Sequence, residues 1–252
     1  MILDLFRLDR QVALVTGGDR GLGQAMAIAL AEAGADVAIV SRSGHHATTV
    51  AAIEALGRRC LPLVADLGQP GAAQVIDQAI AGLGRVDILV NNAGIIRRAE
   101  AADTSAEDFQ AVLDVNLQAV WALSQRAGQQ MLSAGRGKII NIASLLSFQG
   151  GIRVPAYAAA KHAVAGLTKA LANEWASKGI NVNAIAPGYM ATDNTQALRD
   201  DPTRSRQIME RIPAGRWGSA TDLAGAVIYL ASAASDYTHG HILVVDGGWM
   251  AR

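Results

Sequence analysis

The stretch Val12-Ala13-Leu14-Val15-Thr16-Gly17-Gly18-Asp19-Arg20-Gly21-Leu22-Gly23 decides the fold of this chain. Its first five residues predict a short buried strand, and an alanine-rich helical pattern over Gly23–Ala33 follows the glycines directly. Glycines in the spacing G-x-x-x-G-x-G permit a tight turn and a close approach of the backbone to a diphosphate, which the amino end of a helix attracts. A tight turn between a strand and a helix also needs glycine for purely structural reasons.

The same alternation of strand and helix continues along the chain. Short apolar runs predict six further strands, at Asp36–Val40, Cys60–Val64, Asp87–Asn91, Lys138–Ile142, Ile180–Ile185 and His241–Val245. Helical spacing marks the segments Gln74–Leu83, Phe109–Leu132 and Tyr157–Ser177. Nearly continuous apolar strands that alternate with helices are typical of a parallel sheet covered on both faces. The sequence therefore predicts an α/β protein, a single doubly wound Rossmann-type domain over residues 1–252 with seven parallel strands.

One segment departs from this rhythm. Ala191–Arg216 is polar and charged, and Pro202 and Pro213 interrupt it. A long irregular insertion in a compact domain is often a cover for a binding site. The sequence therefore predicts a substrate lid at about residues 190–216, with a solvated surface excursion as the alternative.

Composition narrows the function classes. The 252 residues include 51% hydrophobic side chains and 22 each of basic and acidic ones, so the formal net charge is zero. A neutral chain lacks the positive field of a nucleic-acid binder, and no apolar run approaches the roughly 20 residues that cross a bilayer. The single Cys60 excludes an internal disulfide, and His45 and His46 lack partners at metal-ligand spacing. We expect a cytoplasmic enzyme without a metal, a membrane or a nucleic-acid partner.

The end of the second predicted strand bears on the choice of nicotinamide cofactor. An acidic residue there would bind the adenosine ribose hydroxyls and repel a 2′-phosphate. This chain has Ser41-Arg42-Ser43 instead, and Arg20 of the glycine loop is expected to reach the same group. Because two arginines on one phosphate form strong charge-assisted bonds, the sequence favours NADP(H), with NAD(H) still possible.

Other residues of the predicted cofactor site follow the ends of later strands. Asp66, next to Leu67, is expected to accept a hydrogen bond from an adenine amino group, and the turn Asn91–Gly94 lies at the edge where doubly wound sheets bind ligands. Either segment alone is compatible with an ordinary turn. The predicted cofactor residues in this half of the chain are Gly17, Asp19, Arg20, Gly21, Leu22, Gly23, Ser41, Arg42, Asp66, Leu67, Asn92, Ala93 and Gly94.

A candidate catalytic group lies in the second half of the chain. Ser144 follows the fifth predicted strand, and Tyr157 and Lys161 share one face of a predicted helix at a spacing of four residues. A free tyrosine, with a pKa near 10, is a poor acid or base at neutral pH. A nearby lysine ammonium favours the phenolate, so we expect Lys161 to lower the pKa of Tyr157.

Several motifs, in this order along the chain, resemble the short-chain dehydrogenase/reductase family. They are Thr16-Gly17-x-x-x-Gly21-x-Gly23, Asn91-Asn92-Ala93-Gly94, Asn116, Ser144, Tyr157-x-x-x-Lys161 and Pro187-Gly188. The resemblance covers the whole chain and implies an enzyme that transfers hydride between a nicotinamide cofactor and a carbonyl. It also implies a homotetramer, formed through the two long helices and the last strand.

The resemblance implies a role for each catalytic residue. Tyr157 is the acid in reduction and the base in oxidation, Ser144 orients the substrate carbonyl, and Lys161 also holds the nicotinamide ribose. Asn116 anchors a water molecule that connects Lys161 to solvent. The nicotinamide carboxamide is held by a further group, Pro187, Gly188, Met190 and Thr192, and Tyr157 and Lys161 contact the cofactor as well.

Further stretches resemble members of the family that act on keto sugar acids. They are Asn92–Arg98, Ser147–Pro155, Ala186–Thr192, Ile212–Gly218 and Asp246–Arg252. This resemblance implies interconversion of a 2,5-diketo-3-deoxygluconate and 2-keto-3-deoxygluconate, usually with NAD(H), which is at variance with the two arginines. A reductase of another carbonyl, such as a 3-oxoacyl thioester or a polyol, and a non-catalytic protein that senses the cofactor are the alternatives.

The charged residues agree with an anionic sugar-acid substrate. Arg153 is the only cation between the predicted catalytic serine and tyrosine, and a guanidinium binds a carboxylate at two points. Pairing of Arg153 with an acidic residue of a neighbouring subunit is the alternative, and one of Arg97 and Arg98 is expected to face the pocket. The predicted substrate-binding residues are Ser144, Gln149, Arg153 and Tyr157.

Overall fold

The strand that precedes the glycine loop lies in the interior of one parallel sheet. The computed structural model describes all residues, 1–252, and β1 (Val12–Thr16) is buried along its whole length. The other strands are β2 (Asp36–Ser41), β3 (Cys60–Val64), β4 (Ile88–Asn91), β5 (Gly137–Ile142), β6 (Ile180–Pro187) and β7 (Ile242–Val245). Their order in the sheet is β3-β2-β1-β4-β5-β6-β7, and every neighbouring pair is parallel. The predicted seven-stranded parallel sheet is confirmed.

Helices cover both faces of this sheet. They are α1 (Gly21–Glu32), α2 (Ala47–Ala55), α3 (Gln74–Leu83), α4 (Ala106–Leu113), α5 (Ala119–Ala134), α6 (Pro155–Trp175), α7 (Gln196–Asp200), α8 (Pro202–Arg211) and α9 (Ala224–Ala231). On one face, Met26 of α1 and Val227 of α9 belong to a buried core with alternate residues of the central strands. On the other face, Leu123 of α5 and Leu171 of α6 form a second core. Two separate cores are what a doubly wound sheet requires.

The site is positioned by the point between β1 and β4 at which the order of the strands reverses. Residue Val15 of β1 pairs with Ile39 of β2 on one side and with Val90 of β4 on the other. The connections after β1 and β4 therefore leave the sheet in opposite directions and open a crevice at their carboxyl ends. Ligands of doubly wound folds bind in such a crevice.

The predicted helix Phe109–Leu132 is longer in the structure and is interrupted. Helix α4 begins at Ala106, a π-helical segment over Asp114–Gln118 follows, and α5 continues to Ala134. The sequence pattern did not predict this segment, because the apolar spacing continues through it. Within it the buried Asn116 bonds to a different part of the chain, as described below.

The predicted irregular segment 191–216 contains two helices, α7 and α8. Helix α8 begins with Pro202, and the Asp201 carboxylate before it accepts hydrogen bonds from the backbone N–H groups of Thr203 and Arg204. Helices α2 and α9 also form outside the predicted helical segments. In α2 only Thr49 and Ile53 are buried, which leaves little periodicity to detect. None of the helices is long and apolar enough to cross a membrane.

Candidate active site

The larger of the two main pockets, the large pocket, lies at the crevice between β1 and β4. It has a volume of about 300 Å³ and is bounded by the glycine loop, the ends of β2 and β3, the turn after β4, the start of α6 and the segment after β6. The predicted residues that line it are Gly17, Asp19, Arg20, Gly21, Leu22, Gly23, Ser41, Arg42, Asp66, Leu67, Asn92, Ala93, Gly94, Tyr157, Lys161 and Thr192. The structure thus brings together residues that are up to 175 positions apart, as Gly17 and Thr192 are.

The glycines of the loop bring its backbone close to the pocket. Gly17 has a φ of +65° and Gly21 a φ of +55°, conformations that favour glycine. At Gly23 the reason is space, because a Cβ atom there would lie 2.0 Å from the carbonyl oxygen of Gly17. The loop therefore passes directly into the amino end of α1, with the Gly23 backbone packed against the Gly17 carbonyl group.

Hydrogen bonds hold the turn after β4 against the glycine loop. The Thr16 hydroxyl accepts from the backbone N–H groups of Asn92 and Ala93, each at 2.9 Å. In the other direction, the Asn92 side-chain amide donates to the Thr16 carbonyl oxygen at 2.8 Å. These reciprocal bonds join the end of β1 to the turn after β4. The Asn-Asn-Ala-Gly turn therefore has a structural role in addition to its place in the pocket.

Two arginines lie at the end of the pocket formed by β2. Arg42 follows this strand, and Arg20 is the N-cap residue of α1, with its guanidinium 3.3 Å from the Asp193 carboxylate. The Ser43 hydroxyl donates to Asp19 at 2.9 Å. In addition, the Ser41 hydroxyl lies 2.8 Å from Nε2 of the buried His46. No group of three or more metal-ligating side chains is present.

These features fit a dinucleotide. A glycine-rich loop leads into a helix amino terminus, which suits a diphosphate. The residues Ser41, Arg42 and Ser43 at the end of β2 carry hydroxyl and guanidinium donors and no carboxylate of their own, which suits a ribose that bears a phosphate. The carboxylate nearest to them is that of Asp19 in the glycine loop, which accepts from Ser43. Asp66 lies farther along the same pocket, where its carboxylate also accepts a hydrogen bond from the Gly68 N–H at 3.0 Å.

The other end of the pocket holds Tyr157 and Lys161. Pro155 begins α6 and Tyr157 lies in its first turn, while the Lys161 ammonium lies 5.5 Å from the centre of the Tyr157 ring. That ammonium is buried and donates to the Ile142 carbonyl oxygen at the end of β5, at 2.5 Å. The side-chain hydroxyl of Ser144, just after β5, accepts from the Leu146 N–H at 3.1 Å.

Burial dominates the protonation of both side chains. It lowers the pKa of Lys161 to about 8. It also raises the pKa of Tyr157, while Ser144 and the positive charge of Arg98 act in the opposite direction with smaller effects. The expected lowering of the Tyr157 pKa by Lys161 is therefore wrong for the chain by itself, because removal of the phenolate from water outweighs the nearby charges.

The π-helical segment between α4 and α5 contains the buried Asn116, whose side chain bonds to the loop after β4. The Asn116 side chain accepts from the Ile95 N–H at 2.8 Å and donates to the Ile95 carbonyl oxygen at 2.9 Å. A buried side chain that exchanges both bonds with a neighbouring backbone fixes the loop after β4 to this helix. π-Helical bulges are frequent at functional sites.

Residues 17–250 match the family described as enoyl-(acyl carrier protein) reductase. The chain is 55% identical, over all of both chains, to a 2-dehydro-3-deoxy-D-gluconate 5-dehydrogenase from Dickeya dadantii. The match to the family extends from the glycine loop to the last helical turn. The chain is a short-chain dehydrogenase/reductase.

Solved structures of other members of the family agree with this assignment. One, from Burkholderia cenocepacia, is a gluconate 5-dehydrogenase in complex with NADP and tartrate; it is 42% identical, each chain is fully covered, and the TM-score is 0.95. Another, from Agrobacterium tumefaciens, is described as a 2-deoxy-D-gluconate 3-dehydrogenase with bound NADP; it is 55% identical over 98% of this chain and 99% of that one, with a TM-score of 0.93. As a member of this family, the protein is an NAD(P)-dependent oxidoreductase.

Some predicted site residues of this short-chain dehydrogenase/reductase lie outside the large pocket. Pro187 is buried in β6, whereas Gly188 and Met190 line a second cavity of about 180 Å³, next to Asp222 and Asp246. Of the four residues expected around the nicotinamide carboxamide, only Thr192 lines the large pocket. Asn116 is buried behind the wall of that pocket, as its bonds to Ile95 show.

Two of the four predicted substrate-binding residues, Gln149 and Arg153, contact other parts of the chain. Arg153 is 3.2 Å from the Glu100 carboxylate of its own chain, and both side chains are more than half exposed. Its backbone has a φ of +64°, an unusual conformation for a residue with a side chain. The side-chain oxygen of Gln149 accepts from the Trp249 indole N–H at 3.1 Å.

The two arginines after β4 differ in their surroundings. Arg97 pairs with Asp108 of α4 at 3.2 Å. Arg98 donates to the Asn194 carbonyl oxygen at 3.2 Å, and its charge acts on Tyr157. Neither arginine is among the residues that line the large pocket, so the expectation that one of them faces it stays a prediction. The structure also adds pocket residues that no motif indicated, Val40, Ser43, Ala65, Ile95, Ile96, Val115, Ile142, Asp193 and Asn194.

Proposed function

We propose that the protein interconverts a keto sugar acid and its hydroxy form, of the 2,5-diketo-3-deoxygluconate and 2-keto-3-deoxygluconate type. The observation that carries this proposal is the 55% identity to an enzyme of that name over the full length of both chains, with Tyr157 and Lys161 side by side in the large pocket. In the reductive direction, one carbonyl, one NAD(P)H and one proton become a secondary alcohol and NAD(P)⁺. The bound cofactor supplies the hydride.

Tyr157 supplies the proton in the reductive direction. Since burial raises its pKa, the phenol is protonated in the neutral range and is ready to donate to the oxygen on which negative charge develops. Ser144 follows β5 and lies next to Tyr157. It donates a second hydrogen bond to the same substrate oxygen. Two fixed donors stabilise the charge as an oxyanion hole does.

Lys161 and Asn116 return the proton to Tyr157. Its lowered pKa of about 8 lets Lys161 exchange protons near neutral pH. Asn116 exchanges two hydrogen bonds with Ile95 in the pocket wall. In this proposal its amide positions a water molecule that connects Lys161 to solvent. In oxidation the same residues act in reverse, and Tyr157 accepts the proton.

The donors at the end of β2 favour NADP(H). Arg42 lines the pocket without an ion pair of its own, and Arg20 lies in the same part of the pocket. Together they place two guanidinium groups at the expected 2′-phosphate. NAD(H) remains a substrate in this proposal, because the glycine loop and the turn after β4 do not depend on that phosphate.

The substrate carboxylate is bound by an arginine from the loops around Tyr157. In this proposal Arg153 exchanges the exposed Glu100 for the substrate, and Gln149 binds a sugar hydroxyl. Exposed ion pairs contribute little free energy, so the exchange is not costly. Arg98, whose charge acts on Tyr157, is the second candidate.

Two features beyond the pocket complete the proposal. Segment 190–216 acts as the substrate lid, and its helices α7 and α8 follow Thr192 at the pocket wall.

The enzyme forms a homotetramer through its two long helices and β7. Strand β7 is an edge strand whose residues are only half-buried in one chain, and Trp121 on α5 is 40% exposed. Light scattering tests this assembly, and a monomer would contradict it.

The direct test is oxidation of NADPH and NADH at 340 nm with four candidate substrates. These are a 2,5-diketo-3-deoxy sugar acid, 5-ketogluconate, a neutral ketose and a 3-oxoacyl thioester. We expect the highest kcat/KM with the diketo acid and a higher kcat/KM with NADPH than with NADH. A higher kcat/KM with the thioester or the neutral ketose would contradict the proposed substrate class. A higher value with NADH would leave the substrate class intact and contradict the role of the two arginines.

A further inference from the structure

One ion pair joins the glycine loop to segment 190–216, the predicted lid. The guanidinium of Arg20 lies 3.3 Å from the carboxylate of Asp193, which is 173 positions later in the chain. Both side chains line the large pocket, and both are about three-quarters exposed. Asp193 follows Thr192 and is the first residue of a short 3₁₀ turn, so the pair connects the glycine loop to the start of segment 190–216.

Asp193 has no evident role in the fold. Its carboxylate bonds to no side chain or backbone group other than Arg20. The turn that contains it is held by Thr195 instead, whose hydroxyl accepts from the Thr192 N–H at 3.1 Å and donates to the Met190 carbonyl oxygen at 2.5 Å. An acidic side chain that projects into a pocket expected to hold phosphates, and that the turn does not need, calls for a functional explanation.

We propose that Asp193 is a specificity-determining residue for the cofactor, because it competes with the 2′-phosphate for Arg20. This inference rests on the proposed use of NADP(H) and NAD(H). With NAD(H), Arg20 stays on Asp193 and ties the start of the lid to the glycine loop. With NADP(H), Arg20 turns to the 2′-phosphate and the tie is released. Asp193 thus reduces the preference for NADP(H), and the enzyme keeps the use of both cofactors.

The contrast with Arg42 supports this division of roles. Arg42 follows β2 and has no carboxylate within ion-pair distance, so it binds a phosphate without breaking a bond. Arg20 must first break its ion pair with Asp193. Without its partner, Arg20 would bind the 2′-phosphate at full strength and shift the preference further toward NADP(H).

Removal of the Asp193 charge would also tighten cofactor binding by a simpler route, because it removes a negative charge near the phosphates of the cofactor. Such a general effect would act on the diphosphate of both cofactors and would not depend on Arg20. Competition for Arg20 acts on the 2′-phosphate alone. The two explanations are therefore separated by the choice of cofactor and by the presence of Arg20.

The experiment measures dissociation constants for NADPH and NADH by cofactor fluorescence, without substrate, on the full chain and on Asp193→Asn, Arg20→Gln and the double variant. Asp200→Asn is the matched control, because it removes the same charge from an exposed residue of α7 whose partner is Gln196. For Asp193→Asn we expect tighter NADPH binding by about 2- to 5-fold, the range of an exposed ion pair, and NADH binding within about 2-fold of the original.

In the Arg20→Gln background we expect Asp193→Asn to change the NADPH dissociation constant by less than about 1.5-fold, because the competition has been removed. The proposal is overturned if Asp193→Asn leaves the ratio of the two dissociation constants unchanged, if its effect persists without Arg20, or if Asp200→Asn has the same effect. Absence of binding of either cofactor would overturn both this inference and the proposed function. Normal binding without turnover of any sugar acid would count against the proposed function only.

Discussion

The two ends of the large pocket are built in different ways. At the cofactor end, backbone conformation determines the shape of the glycine loop: Gly17 and Gly21 have positive φ, and Gly23 leaves room for the Gly17 carbonyl group. At the end that holds Tyr157, side chains from distant segments form the structure: Lys161 reaches the Ile142 carbonyl oxygen. Outside the pocket, the loop between Ser144 and Tyr157 is held by the pairs Arg153–Glu100 and Gln149–Trp249. Local backbone geometry is encoded by a short run of residues, whereas side-chain pairs depend on the whole fold. The cofactor end is therefore the part that sequence specifies best.

The largest expected effect lies where the two ends meet. Tyr157→Phe removes the proton donor and keeps the ring, so we expect kcat for the keto sugar acid to fall by about 10²- to 10⁴-fold. The NADPH dissociation constant should change by less than about 3-fold, because the glycine loop and the donors after β2 are untouched. Steady-state kinetics and fluorescence titration measure the two quantities. Near-normal turnover would refute the acid role of Tyr157.

The next effect tests the substrate end. Arg153→Gly removes the guanidinium and suits the φ of +64°, so that backbone strain is not a second variable. If Arg153 binds the substrate carboxylate, kcat/KM for the sugar acid should fall by about 30- to 150-fold, which corresponds to roughly 2–3 kcal/mol for a charged hydrogen-bonded contact. Turnover of a neutral ketone should be little changed.

Arg98→Ala and Arg97→Ala complete this series. If only Arg98→Ala gives the large loss with the acid, the carboxylate binds beside Tyr157 and Arg153 serves to join its loop to Glu100. Arg97→Ala is the matched control, because Arg97 pairs with Asp108 of α4. A loss in Arg97→Ala as large as in the others would indicate a general effect of charge on the loop.

The cofactor end is tested by adding one carbon atom. Gly23→Ala places a Cβ 2.0 Å from the Gly17 carbonyl oxygen and 2.5 Å from the Asn92 amide. We expect a loss of about 1–3 kcal/mol of unfolding free energy and NADPH binding weakened by about 10-fold or more, because the loop has to move. Gly225→Ala is the control on α9, where a Cβ meets nothing within 4 Å. It should be neutral or stabilising by up to ~1 kcal/mol, with unchanged binding.

The comparison between the two ends explains what sequence predicts and what it does not. All seven strands and their parallel arrangement follow from apolar periodicity. Of the sixteen predicted residues that line the pocket, Tyr157 and Lys161 follow from helical spacing, Thr192 from the family resemblance, and the others from glycine spacing and the motifs at strand ends. The π-helical segment around Asn116 was missed because it keeps the apolar pattern of a regular helix. The partners of Arg153 and Gln149 were missed because Glu100 and Trp249 are brought to them only by tertiary folding.

Electrostatics at the meeting point of the two ends is the clearest case of this limit. A spacing of four residues placed Lys161 beside Tyr157 correctly, and the expected direction of the Tyr157 pKa was nevertheless wrong. Spacing along a helix reports which charges are near each other. It does not report how far both are removed from water, and in this site burial is the larger effect.

Burial of Lys161 can be measured through its effect on stability. The pKa is about 8 in the folded chain, against about 10.4 for a lysine in an unfolded one. Below pH 8 both states hold the proton, and the full penalty of the buried charge is present. Between the two pKa values the unfolded chain binds more protons than the folded chain, so the contribution of Lys161 to the free energy of unfolding increases with pH.

The test compares the original chain with Lys161→Met by urea unfolding at pH 7 and pH 9.5, in the absence of cofactor. We expect the free energy of unfolding of the original chain to rise, relative to the variant, by about 2 kcal/mol over this interval. Loss of the bond to the Ile142 carbonyl oxygen shifts the variant by the same amount at both pH values, and therefore cancels in the comparison. A difference that does not depend on pH would mean that Lys161 keeps an ordinary pKa. Water would then reach this end of the pocket, and the contrast between a backbone-built cofactor end and a buried catalytic centre would no longer hold.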